Sequence, residues 1–186
     1  MNKNNKKSIL ITGGAGFIGS HLCDSLITNN KITVIDNLSL GKKSNIKHLI
    51  NNKNFNFIEA DILNTDLNDV FNNGNFDTVF HLAANSDIAN SHDNPSIDKD
   101  NTFMTTYCIL EMMKKHAVKQ IIFSSTSAIY GDTTDLIKEN YGPLKPVSHY
   151  GAGKLASEAF ISSFSENYGI KAWIVRFPNV VGERAT

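Results

Sequence analysis

Thr12-Gly13-Gly14-Ala15-Gly16-Phe17-Ile18-Gly19-Ser20 is a glycine-rich stretch between two segments with regular apolar patterns. The residues before it, Ser8-Ile9-Leu10-Ile11, are short, apolar and prone to form a strand. The residues after it, His21 to Ile27, carry apolar side chains at helical spacing. The pattern therefore predicts a strand, a tight glycine turn and a helix.

The glycines of this stretch fit two related spacings that are typical of nucleotide-binding turns. Gly14, Gly16 and Gly19 give G-x-G-x-x-G, and Gly13, Gly16 and Gly19 give G-x-x-G-x-x-G. A turn without Cβ atoms lets the backbone approach a pyrophosphate, and the N-terminus of the following helix offers free N–H groups to it. The last glycine also lets the helix pack closely on the strand.

An acidic residue supports this interpretation. Lys31 to Ile35 reads as the next strand, and Asp36 follows it, twenty residues after Gly16. An acid at about this distance binds the ribose hydroxyls of a dinucleotide. The alternative is a glycine-rich turn without a ligand and an aspartate that caps a loop.

Length and charge limit the kind of protein. The chain has 186 residues, which is enough for one domain with a core, so we take 1–186 as a single domain. Its 18 basic and 18 acidic residues give no net charge, and this balance predicts neither a nucleic-acid partner nor a membrane surface. No apolar stretch is long enough to span a bilayer, and the Asn/Lys-rich start, Met1 to Lys7, lacks the apolar region of a signal peptide and is expected to be frayed.

The cysteines and histidines predict neither a disulfide nor a metal site. Cys23 and Cys108 both fall in predicted helices, which favours buried free thiols in a reducing cytoplasm. The six histidines show no metal spacing, so we expect no metal.

The rest of the chain alternates between strand and helix patterns. Four further strands are predicted: Asn54–Ile58, Phe76–His81, Lys119–Ser124 and Ile170–Phe177. The helices predicted between them are Leu63–Phe71, Pro95–His116, which is the longest helical stretch, and one that is capped by Ser148 and runs to about Tyr168. Six strands in such alternation predict a doubly wound parallel α/β sheet, the Rossmann fold, with helices on both faces. Ligands of such sheets bind at the carboxyl ends of the strands.

A tyrosine and a lysine suggest acid/base chemistry. Tyr150 and Lys154 lie four residues apart and share one helix face. A nearby ammonium and the positive ring of a cofactor would both favour tyrosinate and lower the pKa of a tyrosine toward neutrality, which suits a general acid/base. The alternative is a surface Tyr–Lys pair. Gly151 and Gly153 argue against it, because two glycines in one helical turn cost about 1 kcal/mol each relative to Ala and indicate a close approach of the backbone to another group.

Taken together, these motifs resemble those of a known superfamily, the extended short-chain dehydrogenases/reductases. Within it the sequence is most similar to the NAD-dependent nucleotide-sugar epimerase/dehydratase family, to enzymes such as the UDP-glucose 4-epimerases. The resemblance runs from Ile9 to about Gly182 and depends on several separated motifs: Thr12 to Leu22, Asp36-Asn37-Leu38-Ser39, Asp61-Ile62, His81-Leu82-Ala83-Ala84, Ser124 to Gly131, Tyr150-x-x-x-Lys154, and Arg176-Phe177-Pro178-Asn179-Val180-Val181-Gly182.

The resemblance implies NAD as cofactor and a role for each matching residue. Those expected to hold the cofactor are Gly13, Gly16, Phe17, Ile18, Gly19, Asp36, Asn37, Asp61, Ile62, Leu82, Ala83, Ala84, Asn101, Tyr150, Lys154 and Pro178. Thr126, Tyr150 and Lys154 are the expected catalytic residues, and Thr126 and Asn179 are expected to contact the sugar nucleotide. From the residues alone, Asp61 is equally a turn cap, Asn101 a polar helix residue, Asn179 a turn residue, and the Ser124–Ser127 hydroxyls a polar turn.

The implied reaction is the 4-epimerisation of a UDP-sugar through a transient 4-keto sugar, with Tyr150 moving the proton of the 4-hydroxyl. Related dehydratases carry an Asp-Glu pair after the catalytic Thr, where this chain has Ser127 and Ala128, and this favours epimerisation over dehydration. Within the enzymes of this family, the alternative is a nucleotide-sugar dehydratase or reductase. Some epimerases carry a phosphate-binding Lys after the fourth strand, where this chain has Asn85 and Ser86.

The family also implies a longer chain and a homodimer. Because its members continue into a C-terminal substrate domain, the sequence reads as the NAD-binding part alone, either a piece of an epimerase or a non-catalytic NAD-binding module. We therefore expect no epimerisation by residues 1–186 alone. The related dimers form a four-helix bundle from the two long helices, here 95–116 and 148–168, with apolar surface from Met104, Tyr107, Cys108, Leu110, Met112, Leu155, Ala159, Phe160 and Phe164.

Overall fold

The computed structural model of the chain describes residues 6–87, 92–134 and 136–185. Within these ranges a six-stranded sheet has the order β3-β2-β1-β4-β5-β6, and each neighbouring pair is parallel. The predicted doubly wound α/β fold is confirmed. The strands are β1 (Lys7–Thr12), β2 (Asn30–Asp36), β3 (Phe55–Glu59), β4 (Thr78–His81), β5 (Gln120–Thr126) and β6 (Lys171–Phe177).

Helices connect the strands and cover both faces of the sheet. They are α1 (Phe17–Leu26), α2 (Leu67–Gly74), α3 (Ser96–Asp98), α4 (Thr105–Lys115) and α5 (His149–Tyr168), with 3₁₀ turns at Lys43–Asn45, Lys47–Leu49 and Ser127–Tyr130. Side chains alternate across the sheet, so neighbouring residues of one strand enter different cores. Leu10 packs with Phe71 of α2, Leu110 of α4 and Ile161 of α5, whereas its neighbour Ile9 packs with Cys23 of α1 on the opposite face.

Two element boundaries differ from the sequence prediction. The short helix predicted from Leu63 begins at Leu67, because the Asp66 side chain caps it by accepting from the backbone N–H groups of Asn68 and Asp69. Strand β4 begins at Thr78 instead of Phe76; just before it, the Asp77 carboxylate accepts a 2.8 Å hydrogen bond from the Ser8 backbone N–H, in place of a regular strand contact.

The helical stretch predicted from Pro95 to His116 is interrupted by a different helix type. Between α3 and α4, Lys99–Met104 forms a π-helical segment, which the sequence pattern did not predict. Such segments occur frequently at functional sites. Here the segment lies against α5, since a Cβ built on Gly153 would stand 3.3 Å from the Thr102 Cβ.

The N-terminal end of α5, which carries Tyr150, packs closely against the segment that follows β5. Ser148 caps the helix as predicted, by accepting a hydrogen bond from the Gly151 N–H. A Cβ on Gly151 would stand 2.7 Å from the Ala128 carbonyl oxygen, in the 3₁₀ turn that follows β5. The close approach inferred from the two glycines is therefore present, and its partners are other segments of the chain.

Candidate active site

A cavity of about 570 Å³ lies at the carboxyl ends of β1, β2, β4 and β5. Its wall brings together residues that are far apart in the sequence and includes every predicted site residue except one. The predicted residues that line it are Gly13, Gly16, Phe17, Ile18, Gly19, Asp36, Asn37, Asp61, Ile62, Leu82, Ala83, Ala84, Asn101, Thr126, Tyr150, Lys154 and Pro178.

Asn179 is the predicted residue that does not line this cavity. It lies beyond the end of β6, and its side chain is exposed. Its neighbours Pro178 and Val180 line the cavity instead. A sugar-nucleotide contact for Asn179 therefore stays a prediction.

The glycine turn has the shape that a pyrophosphate site needs. Gly13 has a φ of +71°, which disfavours any residue with a side chain, and a Cβ there would stand 2.8 Å from the Ala83 backbone nitrogen. A Cβ at Gly19 would overlap the Gly13 carbonyl oxygen. The turn and the residues that follow β4 are thus in backbone contact.

The start of α1 leaves its first backbone N–H groups free of side-chain caps. Its N-cap residue is Gly16, which makes no side-chain hydrogen bond, and the first turn contains no acidic residue. Phe17, Ile18 and Gly19 of this turn line the cavity. Free N–H groups at a helix N-terminus bind anions, so the site fits a pyrophosphate without a basic side chain.

Asp36 is held in place at the end of β2. Its side-chain oxygens accept hydrogen bonds of 2.9 Å from the Ala15 N–H and 2.8 Å from the Leu38 N–H. Only 9% of Asp36 is exposed, and it lines the cavity. Because each carboxylate oxygen can accept more than one hydrogen bond, Asp36 can still receive ribose hydroxyls.

Asp61 makes the turn-cap contact that the sequence left open, and it also lines the cavity. Its carboxylate accepts a 2.8 Å hydrogen bond from the Leu63 N–H, as a turn cap does. The other carboxylate oxygen is 3.4 Å from the Asn37 amide nitrogen, and both residues line the cavity. Together they form a polar wall beside Asp36.

Thr126, Tyr150 and Lys154 meet at the other end of the cavity. Lys154 is only 2% exposed, and its ammonium donates a 2.5 Å hydrogen bond to the Ser124 carbonyl oxygen. The same ammonium lies 5.9 Å from the centre of the Tyr150 ring. Tyr150 in turn lies close enough to Thr126 for the two side chains to interact.

The pKa of Tyr150 departs from its ordinary value. Burial raises the pKa above its ordinary value, the interaction with the Thr126 side chain opposes this, and the charge of Asp98 raises it further. Without a cofactor the pKa of Tyr150 is therefore raised, and a lowering by Lys154 together with a bound cofactor stays a prediction. Burial lowers the pKa of Lys154 to about 7, although the charge of Glu158 opposes the shift.

His81 belongs to a buried network that the sequence analysis missed. Its Nδ1 is 2.7 Å from the Thr12 hydroxyl, and its Nε2 is 3.0 Å from the Thr106 hydroxyl. The Thr12 oxygen already accepts from the backbone N–H groups of Leu82 and Ala83, so its hydroxyl must donate to Nδ1. The Nε2 proton then goes to Thr106, and the geometry selects a neutral imidazole.

Further residues line the cavity without having been predicted. They include polar or small residues in the last residues of β5 and in the segments that follow β2 and β4: Ser39, Gly41, Asn45, Asn85, Ser86, Asp87, Ser124 and Ser125. In the described part of the chain, His, Cys, Asp and Glu residues form no group of three or more that could hold a metal ion. Within the same residues, no helix is both long and apolar enough to cross a membrane.

Comparison with known proteins adds a family to this geometry. The sequence model of the NAD dependent epimerase/dehydratase family matches residues 9–186. A UDP-glucose 4-epimerase of Halalkalibacterium halodurans is 35% identical over 177 residues, which cover 94% of this chain and 51% of that protein.

Two solved structures are also similar. A UDP-N-acetylglucosamine 4-epimerase of Methanobrevibacter ruminantium, in complex with UDP-N-acetylmuramic acid, is 37% identical with a TM-score of 0.91, over 97% of this chain and 57% of that one. A UDP-glucuronic acid 4-epimerase of Bacillus cereus, in complex with UDP-glucuronic acid and NAD, is 36% identical with a TM-score of 0.87. The match covers 95% of this chain and 58% of that one. The chain thus spans just over half the length of these relatives.

Proposed function

Because the chain belongs to the NAD-dependent epimerase/dehydratase family, we propose that it forms the cofactor-binding and acid/base part of a UDP-sugar 4-epimerase. The observation that carries the proposal is that Thr126, Tyr150 and Lys154 line the same cavity as the glycine turn and the first turn of α1. A module that only binds a nucleotide has no use for an acid/base pair. The similar epimerases of known structure support the reaction class.

NAD is the cofactor that the cavity fits. The first turn of α1 would bind the pyrophosphate through backbone N–H groups, and Asp36 would accept the hydroxyls of the adenosine ribose. A phosphate on that ribose would meet the Asp36 carboxylate, so NADP would bind more weakly. When bound, NAD accepts a hydride from the sugar and later returns it.

Tyr150 is the group that moves the proton. Its hydroxyl would take the proton from the sugar 4-hydroxyl in the oxidation step and return it in the reduction step. Thr126 would hydrogen-bond the same sugar oxygen and stabilise the charge that develops there. The Lys154 ammonium, fixed on the Ser124 carbonyl, would favour the phenolate form of Tyr150 while the proton is away.

Two neighbouring positions favour epimerisation over dehydration. Elimination of water needs an acid and a base next to the catalytic threonine. The 3₁₀ turn that follows Thr126 instead begins with Ser127 and Ala128. Neither side chain can transfer a proton at neutral pH, so we assign isomerisation and not dehydration.

A homodimer through α4 and α5 is part of the proposal. Tyr107 and Phe160 pack edge to face with ring centres 5.7 Å apart, and Phe160 remains 39% exposed. Leu110 and Phe164 are buried in the intramolecular core, so they cannot contribute to a dimer face as expected. The partly exposed apolar residues of the two helices are the surface that a second copy would cover.

We also keep the cytoplasm as the proposed location. Cys23 and Cys108 are free thiols, which suits a reducing compartment. Cys23 is buried, whereas Cys108 is only partly buried.

Turnover of UDP-sugars by the protein at its natural length tests the function. UDP-glucose, UDP-galactose and their N-acetyl forms are the substrates to assay for 4-epimerisation. Tyr150→Phe should lower kcat by about 10²–10⁴-fold and leave NAD bound, because only the proton transfer is lost. Tyr168→Phe, at the exposed end of the same helix, is the matched control. Near-normal turnover by Tyr150→Phe, or release of a dehydrated sugar by the unmodified protein, would contradict the proposal.

A further inference from the structure

Three successive residues at the end of β5 are each tied to a side chain of α5. The Ser124 carbonyl accepts from Lys154, and the Thr126 side chain interacts with that of Tyr150. Between them, the Ser125 hydroxyl donates a 2.5 Å hydrogen bond to Oε1 of Glu158. The contacts of Ser124 and Thr126 with α5 involve proposed catalytic residues, whereas the contact between Ser125 and Glu158 involves none.

Glu158 is fixed from its other side by an arginine of β6. The Glu158 residue is 6% exposed, and Arg176 donates to its two oxygens from Nε at 3.1 Å and from Nη2 at 2.7 Å. Arg176 also donates to the Glu139 carbonyl at 2.8 Å and to the Tyr130 hydroxyl at 3.1 Å. The carboxylate is thus held at a fixed position between two strand ends and the helix.

Glu158 also faces the buried ammonium of Lys154 from one turn further along α5. The other groups around that ammonium are the Phe123 ring at 4.6 Å, the Tyr150 ring and His81, which is kept neutral by its burial. The charge of Glu158 raises the pKa of Lys154 against the effect of burial. The charge of Arg176 is paired with Glu158, and that of Asp98 acts on Tyr150.

We propose that Glu158 is a positioning residue that holds the strand end Ser124–Thr126 against α5 and supplies the negative charge facing the Lys154 ammonium. Its importance for catalysis rests on the proposed function, because Thr126 and Lys154 are the proposed catalytic groups. The contacts themselves do not depend on it. A test on the 186-residue chain without cofactor or sugar therefore separates a failure of this proposal from a failure of the proposed function.

Two variants separate the two effects of Glu158. Glu158→Gln keeps the side-chain length and an oxygen that accepts from Ser125, but it removes the charge. Ser125→Ala removes the hydroxyl tie and changes no charge. Glu166→Gln, which neutralises an exposed glutamate on the same helix, is the matched control.

The titration of Lys154 is followed by NMR of the chain with ¹³C-labelled lysine, the resonance being assigned by its loss in Lys154→Met. We expect the midpoint to move down by about one pH unit in Glu158→Gln and to stay in place in Glu166→Gln and Ser125→Ala. In Ser125→Ala, the backbone amides at positions 125 and 126 should exchange with solvent at least about fivefold faster, since a hydrogen bond to a carboxylate is lost.

Each measurement has a result that overturns the proposal. An unchanged Lys154 midpoint in Glu158→Gln would show that the carboxylate does not support the ammonium. Unchanged amide exchange in Ser125→Ala would show that the tie does not hold the strand end. Because Ser125→Ala leaves the Glu158–Arg176 pair intact, this second test remains valid even when Glu158→Gln does not fold.

Discussion

His81 makes the fold sensitive to acid in a way that can be calculated. The imidazole is fully buried between two threonine hydroxyls, and its hydrogen bonds fit the neutral form. Burial, with a further contribution from the Lys154 charge, lowers its pKa from 6.5 to about 3. Between these two values the unfolded chain binds a proton that the folded chain does not.

The sign and the size of the effect follow from this difference. The contribution of His81 to stability is complete above pH 6.5 and is lost progressively as the pH falls toward 3. Each pH unit within the window corresponds to about 1.4 kcal/mol, so a change from pH 7 to pH 5 should cost about 2 kcal/mol at this one site. Lys154, whose pKa falls from 10.5 to about 7, titrates mainly above this interval. It is present in both chains that are compared, so its small contribution near pH 7 largely cancels.

Urea unfolding at pH 7 and pH 5 measures this loss. His81→Gln removes the titrating group, so its free energy of unfolding should fall by about 2 kcal/mol less than that of the unmodified chain over this interval. His149→Gln, at an exposed position, should lose as much stability as the unmodified chain. An equal loss in His81→Gln and the unmodified chain would refute a buried, neutral His81.

Two further predictions concern the cofactor turn and the dimer. Gly19→Ala should abolish NAD binding while the chain still folds, because its Cβ would push the Gly13 carbonyl out of position; normal binding measured by calorimetry would contradict the packing described for the turn. Phe160→Glu should convert the dimer of the natural-length protein into a monomer at micromolar concentration, as measured by light scattering. Ala152→Glu, at an exposed position of the same helix, is the control and should leave the dimer intact. An unmodified protein that is already a monomer would contradict the dimer.

The fold could be predicted because its signals are local. Apolar runs of strand length alternate with helical periodicity, and the six predicted strands match the observed ones to within about two residues. The errors come from single side chains. Because Asp66 caps α2, the helix begins at Leu67, four residues after the start that the apolar pattern predicts. The Asp77 carboxylate accepts a hydrogen bond from the Ser8 backbone just before β4 begins.

The site could be predicted only where a sequence motif marks it. The glycine turn, Asp36 and the Tyr150/Lys154 pair have fixed spacings, and the structure brings them to one cavity. The pKa of Tyr150 could not be predicted, because it depends on burial and on the charge of Asp98, which no local pattern reveals. Glu158 was missed for a similar reason, since its partners Ser125 and Arg176 lie on two different strands.

The most direct test of the central claim is a calorimetric titration of the folded 186-residue chain with NAD and with NADP. The cavity presents the Asp36 carboxylate and the free N–H groups of α1, and no arginine is among the described residues that line it. The account predicts that NAD binds more tightly than NADP, because a 2′-phosphate would meet the carboxylate. Tighter binding of NADP, or no binding of either cofactor to a sample that is folded by circular dichroism, would contradict it.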